Sequence, residues 1–194
     1  MPQVDTPDRV ARLDVLKSFT HPLRLKLYYA IATRGSATAT TLAQAVGTTP
    51  QLAYYHLRKM ATLGVLEPDT EHPSVGRERF WKQATSGMSF DAGDFPEAAG
   101  DMLALHRAHA SVHEHLLDQY FSIASATPAD PMVQAAFGTD MFVEVTPEEL
   151  GEINEAVTEL LIAYRDRKTA EARGGDLPTR GKVMVLLHAF PVIS

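Results

Sequence analysis

The sequence predicts a mainly helical α+β fold, and three observations carry that reading. The first half repeats apolar residues at helical spacing in short runs broken by glycine and proline. The segment 97–126 keeps the same spacing without a break, and only 65–67, 77–82, 141–145 and 183–190 read as strands. With 194 residues, 45% apolar and 22% charged, the chain can bury a core as one large domain or two small ones.

Composition removes several classes of function. The N-terminal stretch Met-Pro-Gln-Val-Asp-Thr-Pro has no basic segment leading into an apolar run, and apolar runs such as Val183–Leu187 are too short to span a bilayer. A cytoplasmic chain with no membrane partner is expected. The chain has no cysteine, which excludes disulfides, thiolate metal sites and cysteine nucleophiles together.

The elements follow in order. Thr6-Pro7-Asp8 combines an N-cap, a proline at the first helical position and a first-turn acid, so a helix is expected over about 7–18. Pro22 starts a second helix carrying Leu23, Leu27, Ala30 and Ile31, which ends at Arg34-Gly35. Thr40 or Thr41 caps a short third helix, and Gly47-Thr48-Thr49-Pro50 turns into a fourth that stops near Leu63-Gly64. Val65-Leu66-Glu67 and Arg77–Lys82 form a long-looped hairpin, and residues 85–96 read as a linker. A long helix over 97–126 follows, then a strand at Met141–Val145. Thr146-Pro147-Glu148-Glu149 is a capping box that opens a helix to about Arg173, and Val183–Phe190 is an apolar strand. The expected organisation is an N-terminal domain over 1–84, the linker, and a second domain over 97–194. In that second domain the long helix pairs subunits and a small β-α-β module follows. Two strands make a marginal sheet, so they are expected to lie on the helices or pair with another subunit.

Charge is distributed unevenly. Residues 1–83 hold eleven Lys or Arg against seven Asp or Glu, whereas 84–194 hold seven against seventeen, and the whole chain carries −6. No acid occurs between Asp14 and Glu67, a window that contains Lys17, Arg24, Lys26, Arg34, Arg58 and Lys59. A polyanion can dock there without repulsion. On the fourth helix Ala53, Leu57 and Met60 share the packing face, which turns Gln51, Tyr54, Tyr55, Arg58 and Lys59 outward behind the cap residue Thr49. Gln pairs with adenine, Arg with guanine, and tyrosine reaches phosphate or a thymine methyl, so these residues suit a helix lying in a major groove. Arg77 and Arg79 alternate onto one side of the hairpin, suited to the adjacent minor groove or to phosphates. His56 faces neither side cleanly and is read as a helix-packing or phosphate-contacting residue rather than a base reader.

Thr20-His21-Pro22-Leu23-Arg24-Leu25-Lys26-Leu27, Thr41-Leu42-Ala43, Tyr54-Tyr55-His56-Leu57-Arg58, Gly64-Val65-Leu66 and Gly76-Arg77-Glu78-Arg79-Phe80-Trp81 stand in an order and spacing that resemble the ArsR-type winged helix-turn-helix repressors. The resemblance covers about 8–83. It implies a transcriptional regulator that binds double-stranded DNA as a homodimer on a partly palindromic operator and is released by an effector. Metal sensors of that family commonly use cysteine on the DNA-binding helices, so thiolate sensing does not carry over to this chain. From Glu97 onward the chain does not match the shorter members.

Two further sites are candidates. His106, His109 and His113 recur at i, i+3 and i+7, a spacing that suits either a divalent metal or a histidine-bearing packing seam with Leu105 and Val112. Met102, Leu116, Tyr120 and Phe142, with Phe121 and Met141, are candidate lining for a small-molecule effector pocket, and core packing explains the same residues. Catalysis is not expected: Gly175–Lys182 lacks the spacing and context of a phosphate loop, and no nucleophile elbow or His-Glu-x-x-His pair occurs. The reading is a regulator with no required cofactor, against two alternatives: a histidine-based metal-responsive regulator and a protein-interaction module built on a winged fold.

Overall fold

The computed structural model describes residues 8–9, 12–72, 78–85, 88–90, 92–172 and 181–192. The described residues form two compact units, one reaching to Tyr120 and the other beginning at Phe121.

The first unit is built on four short helices: α1 (Leu13–Phe19), α2 (Pro22–Arg34), α3 (Ala39–Val46) and α4 (Pro50–Thr62). Their caps follow from the sequence. His21 accepts from the Leu23 N–H ahead of Pro22, Thr38 caps α3 through the Thr41 N–H, and Thr49 caps α4 through the Leu52 N–H. Gly47, at φ 69, closes α3 in the left-handed region and lets the chain reverse into α4 within three residues. Leu16, Leu27, Ile31, Leu42, Leu57 and Met60 are fully buried where these helices meet, each worth about 1.5–3 kcal/mol of apolar transfer.

A three-stranded antiparallel sheet flanks the helices in the order β2 (Ser36–Thr38), β4 (Phe80–Gln83), β3 (Leu66–Pro68), after β1 (Asp8–Arg9) in the chain. Ala37 and Pro68 both stand opposite Trp81. β1 pairs in parallel with β5 (Met88–Ser89). The helix expected over 7–18 therefore begins only at Leu13, because a backbone committed to strand pairing at Asp8–Arg9 cannot also turn helical. Arg12 anchors that start, donating to the Leu63 carbonyl at 3.1 Å and pairing with Asp14 at 2.7 Å.

Within the expected linker over 85–96, described residues pack onto the core. Phe90 meets the Phe19 ring edge at 5.9 Å, Ala92–Asp94 forms a 3-10 turn, and Phe95 is buried. α5 (Ala99–Ala126) then contributes Met102, Leu105, Ala108 and Val112 to the same core, and Lys17 reaches Asp101 at 3.6 Å. The boundary between the two compact units falls within α5, after Tyr120.

The second unit contains α6 (Pro131–Gln134), capped by Asp130, and α7 (Pro147–Ala172). The capping box forms in both directions: Glu149 accepts from the Thr146 N–H at 2.7 Å, and Thr146 Oγ1 accepts from the Glu149 N–H at 3.2 Å. The mainly helical class holds, but the β-α-β module is corrected. Met141–Val145 and Val183–Phe190 form no strand, and Phe142 and Phe190 are exposed. Apolar β-branched content favours extended backbone, yet a ladder requires a pairing partner, and these segments pair with no described strand.

Candidate nucleic-acid interface

Helix α4 presents two faces. Ala53, Leu57 and Met60 are fully buried against the other helices, while Gln51, Tyr54, Tyr55, Arg58 and Lys59 are exposed. The cap residue Thr49 is exposed as well, with its hydroxyl engaged at the helix start. Lys59 lies 5.6 Å over the Tyr55 ring, which holds a cation beside an aromatic surface. Leu52, half exposed in the first turn, joins this face. Sequence reasoning passed over it because an apolar residue reads as core, although its place beside Gln51 was the available signal.

The wing is fixed to this helix by aromatic packing. Trp81 is buried on β4, the Tyr54 ring meets it edge-on at 6.3 Å, and the Arg79 guanidinium lies 5.9 Å from its centroid. Glu78 accepts from the Thr40 hydroxyl, tying the wing to the start of α3. Lys82 pairs with Glu67 across the strands at 3.5 Å. Arg77 lies outside the described residues. At the hairpin base the Asp69 carboxylate accepts from the Glu71 N–H at 3.1 Å and meets His72 Nδ1 at 2.5 Å. It is held down at about 2, first by the Ser36 hydroxyl beside it, which favours the charged form without a hydrogen bond of ordinary geometry, then by Glu71 and His72.

Beneath α4 lies a cluster the sequence did not reveal. His56 is buried and its Nδ1 accepts from Arg24 Nε at 3.2 Å, while Arg24 Nη1 donates to the Ser18 carbonyl at 3.1 Å. The His21 ring stands 4.7 Å from His56. Burial, then the neighbouring His21, Arg24 and Lys59, hold the His56 imidazole below its ordinary 6.5. The unfolded chain therefore binds that proton at higher pH than the folded one. Stability from neutral His56 is present above about pH 6.5 and declines as pH falls below it; stability from ionised Asp69 is present above about pH 4 and declines toward pH 2. Thermal unfolding across this range is expected to show both declines, with His56→Gln flattening only the upper one. An unchanged upper slope in that variant would refute the assignment.

The remaining candidates separate. His109 and His113 stack at 5.7 Å against Tyr29, whose hydroxyl meets His113 Nε2 at 3.4 Å, while His106 is exposed. Among the described residues no group of three His, Asp or Glu is placed to hold a metal ion, since Tyr29 draws two of these rings into a packing contact. Met102 is buried in the core, Leu116 and Tyr120 are half-buried, and Phe142 belongs to the other unit at 87% exposure, so the four line no common pocket within either unit. Among the described residues no helix is long and apolar enough to cross a membrane.

Residues 19–69 match the family model described as a helix-turn-helix domain. No curated protein matches the chain. Among solved structures, Lactococcus lactis ZitR, wild type in complex with DNA, is similar at 15% identity over 76% of this chain and 74% of that one, with a TM-score of 0.27. The matched segment runs from the end of α1 through α4 to the first wing strand, and the pairing of β3 with β4 completes it. The N-terminal part of this chain carries a helix-turn-helix domain with a hairpin wing.

Proposed function

We propose that the protein is a sequence-specific transcription regulator that binds duplex DNA as a homodimer and acts as a repressor released by a small molecule, with no catalytic step. One observation carries the DNA reading: α4, inside a stretch of sequence with no acid between Asp14 and Glu67, exposes Gln51, Tyr54, Tyr55, Arg58 and Lys59 together, beside a wing bearing Arg79. A helix with bidentate donors on its free face fits the major groove, and a cation on an adjoining hairpin fits the flanking backbone or minor groove. Two copies would place two such helices on a partly symmetric site.

The test separates base reading from phosphate contact. Against a random duplex pool, Arg58→Ala is expected to relax base preference at one position, losing about 1–3 kcal/mol of discrimination. Arg79→Ala is expected to weaken all duplexes alike and to make the salt slope shallower by about one per protomer. Absence of duplex binding at low salt would overturn the reading in favour of a protein-interaction module.

A further inference from the structure

The first unit holds a cavity of about 280 Å³ away from the DNA-facing surface. Its walls combine aromatic residues, Phe19 from α1, Tyr28 and Tyr29 from α2, and Phe90 following β5, with aliphatic ones that include Ala32 of α2 and Met88 of β5. Polar character comes from Gln83, the last residue of β4, and from His109 on α5, whose ring is braced by stacking on His113. Among the described residues no Lys, Arg, Asp or Glu lines the cavity.

The geometry points to this cavity as a binding site for a neutral, planar aromatic molecule of one or two rings carrying a hydroxyl or ring N–H, which Gln83 and His109 would engage. The volume lies at the small end of ligand pockets and suits a bicyclic compound. Four aromatic rings offer faces and edges to a π system. An anionic or cationic ligand would lose its hydration with no opposite charge to receive it. The site differs from the one the sequence suggested, and as an effector site it rests on the small-molecule-responsive reading above.

The cavity also has a route to the DNA-facing surface. Gln83 and Trp81 are two apart on β4 and so share a strand face, and Trp81 touches Tyr54 of α4. A ligand that shifts the end of β4 against α5 displaces the contact that holds wing and helix together, and the effect of ligand on DNA must equal the effect of DNA on ligand.

The experiment titrates the full chain with 2-naphthol and with indole by calorimetry, and repeats duplex binding with 2-naphthol present. Expected are saturable heats with Kd on the order of 10–100 μM, none for 2-naphthoate or 2-naphthylmethylamine, and a change in duplex affinity of about 5- to 150-fold. Ala32→Leu, which fills the cavity wall, is expected to weaken 2-naphthol at least about tenfold while duplex binding without ligand persists. His109→Leu is expected to cost 2-naphthol about five- to tenfold. No saturable heat with either compound in a protein that binds duplex overturns the site, as does an unchanged Kd in Ala32→Leu. Saturable binding that leaves duplex affinity untouched overturns the effector role. Saturable, Ala32-sensitive binding in a protein that binds no duplex supports the cavity and defeats the DNA reading instead.

Discussion

Raising the salt concentration from about 50 to about 200 mM is expected to weaken duplex binding about 10³-fold. The chain presents Arg58, Lys59 and Arg79 on the α4 face and the wing, so the proposed dimer, neutralising about six phosphates, has a log–log slope near −5. The rest of the chain does not blunt this response, because its acids are concentrated after residue 84 and charges beyond about 10 Å are screened at these concentrations. Binding measured by fluorescence anisotropy across that range checks it. A slope near zero would mean that the exposed cations of α4 do not meet phosphate, leaving the acid-free window as an ordinary solvated surface.

The second large effect concerns the support of the reading helix. Leu57 is fully buried on the face of α4 opposite Tyr55 and Arg58, in the core that joins α4 to the other helices. Leu57→Ala is expected to lower unfolding stability by about 2–5 kcal/mol, the sum of lost transfer energy and the cavity left behind. Because marginal domains hold only about 5–15 kcal/mol, the variant should also lose affinity for every duplex in proportion to the folded fraction. Denaturant unfolding of both proteins measures the difference, and a loss below about 1 kcal/mol would show that the core closes over the gap.

Much of this was legible in the sequence because local chemistry and tertiary packing agree. Thr49-Pro50 and Thr146-Pro147 cap helices where they stand, Gly47 and Gly64 adopt positive φ at the two reversals, and the apolar triad of α4 predicts its buried face. The failures share one cause, namely partners distant in sequence. Asp8–Arg9 looks like the first turn of a helix until Met88–Ser89 pairs with it, and Ser36–Thr38, too small and polar to read as a strand, becomes one against β4. The linker composition of 85–96 hides Phe90, half-buried against Phe19 of α1, and Phe95, buried in the core. Met141–Val145 and Val183–Phe190 show the converse, since strand composition without an edge to join yields no sheet. In the site, Arg24 and His56 were named by the motif as residues of a pattern, yet their joint role beneath α4 is a three-dimensional fact with no periodicity to announce it.

Trp81 is the chain's single tryptophan, and its indole N–H is buried with no hydrogen-bond partner among the described residues. With the Arg79 guanidinium over its face and the Tyr54 edge against it, this one fluorophore sits where helix and wing join. Nature has placed an intrinsic optical gauge at that junction: departure of Arg79 toward phosphate, or entry of water at the indole nitrogen, alters the emission of a single residue, so engagement of the wing can be followed in the unlabelled protein.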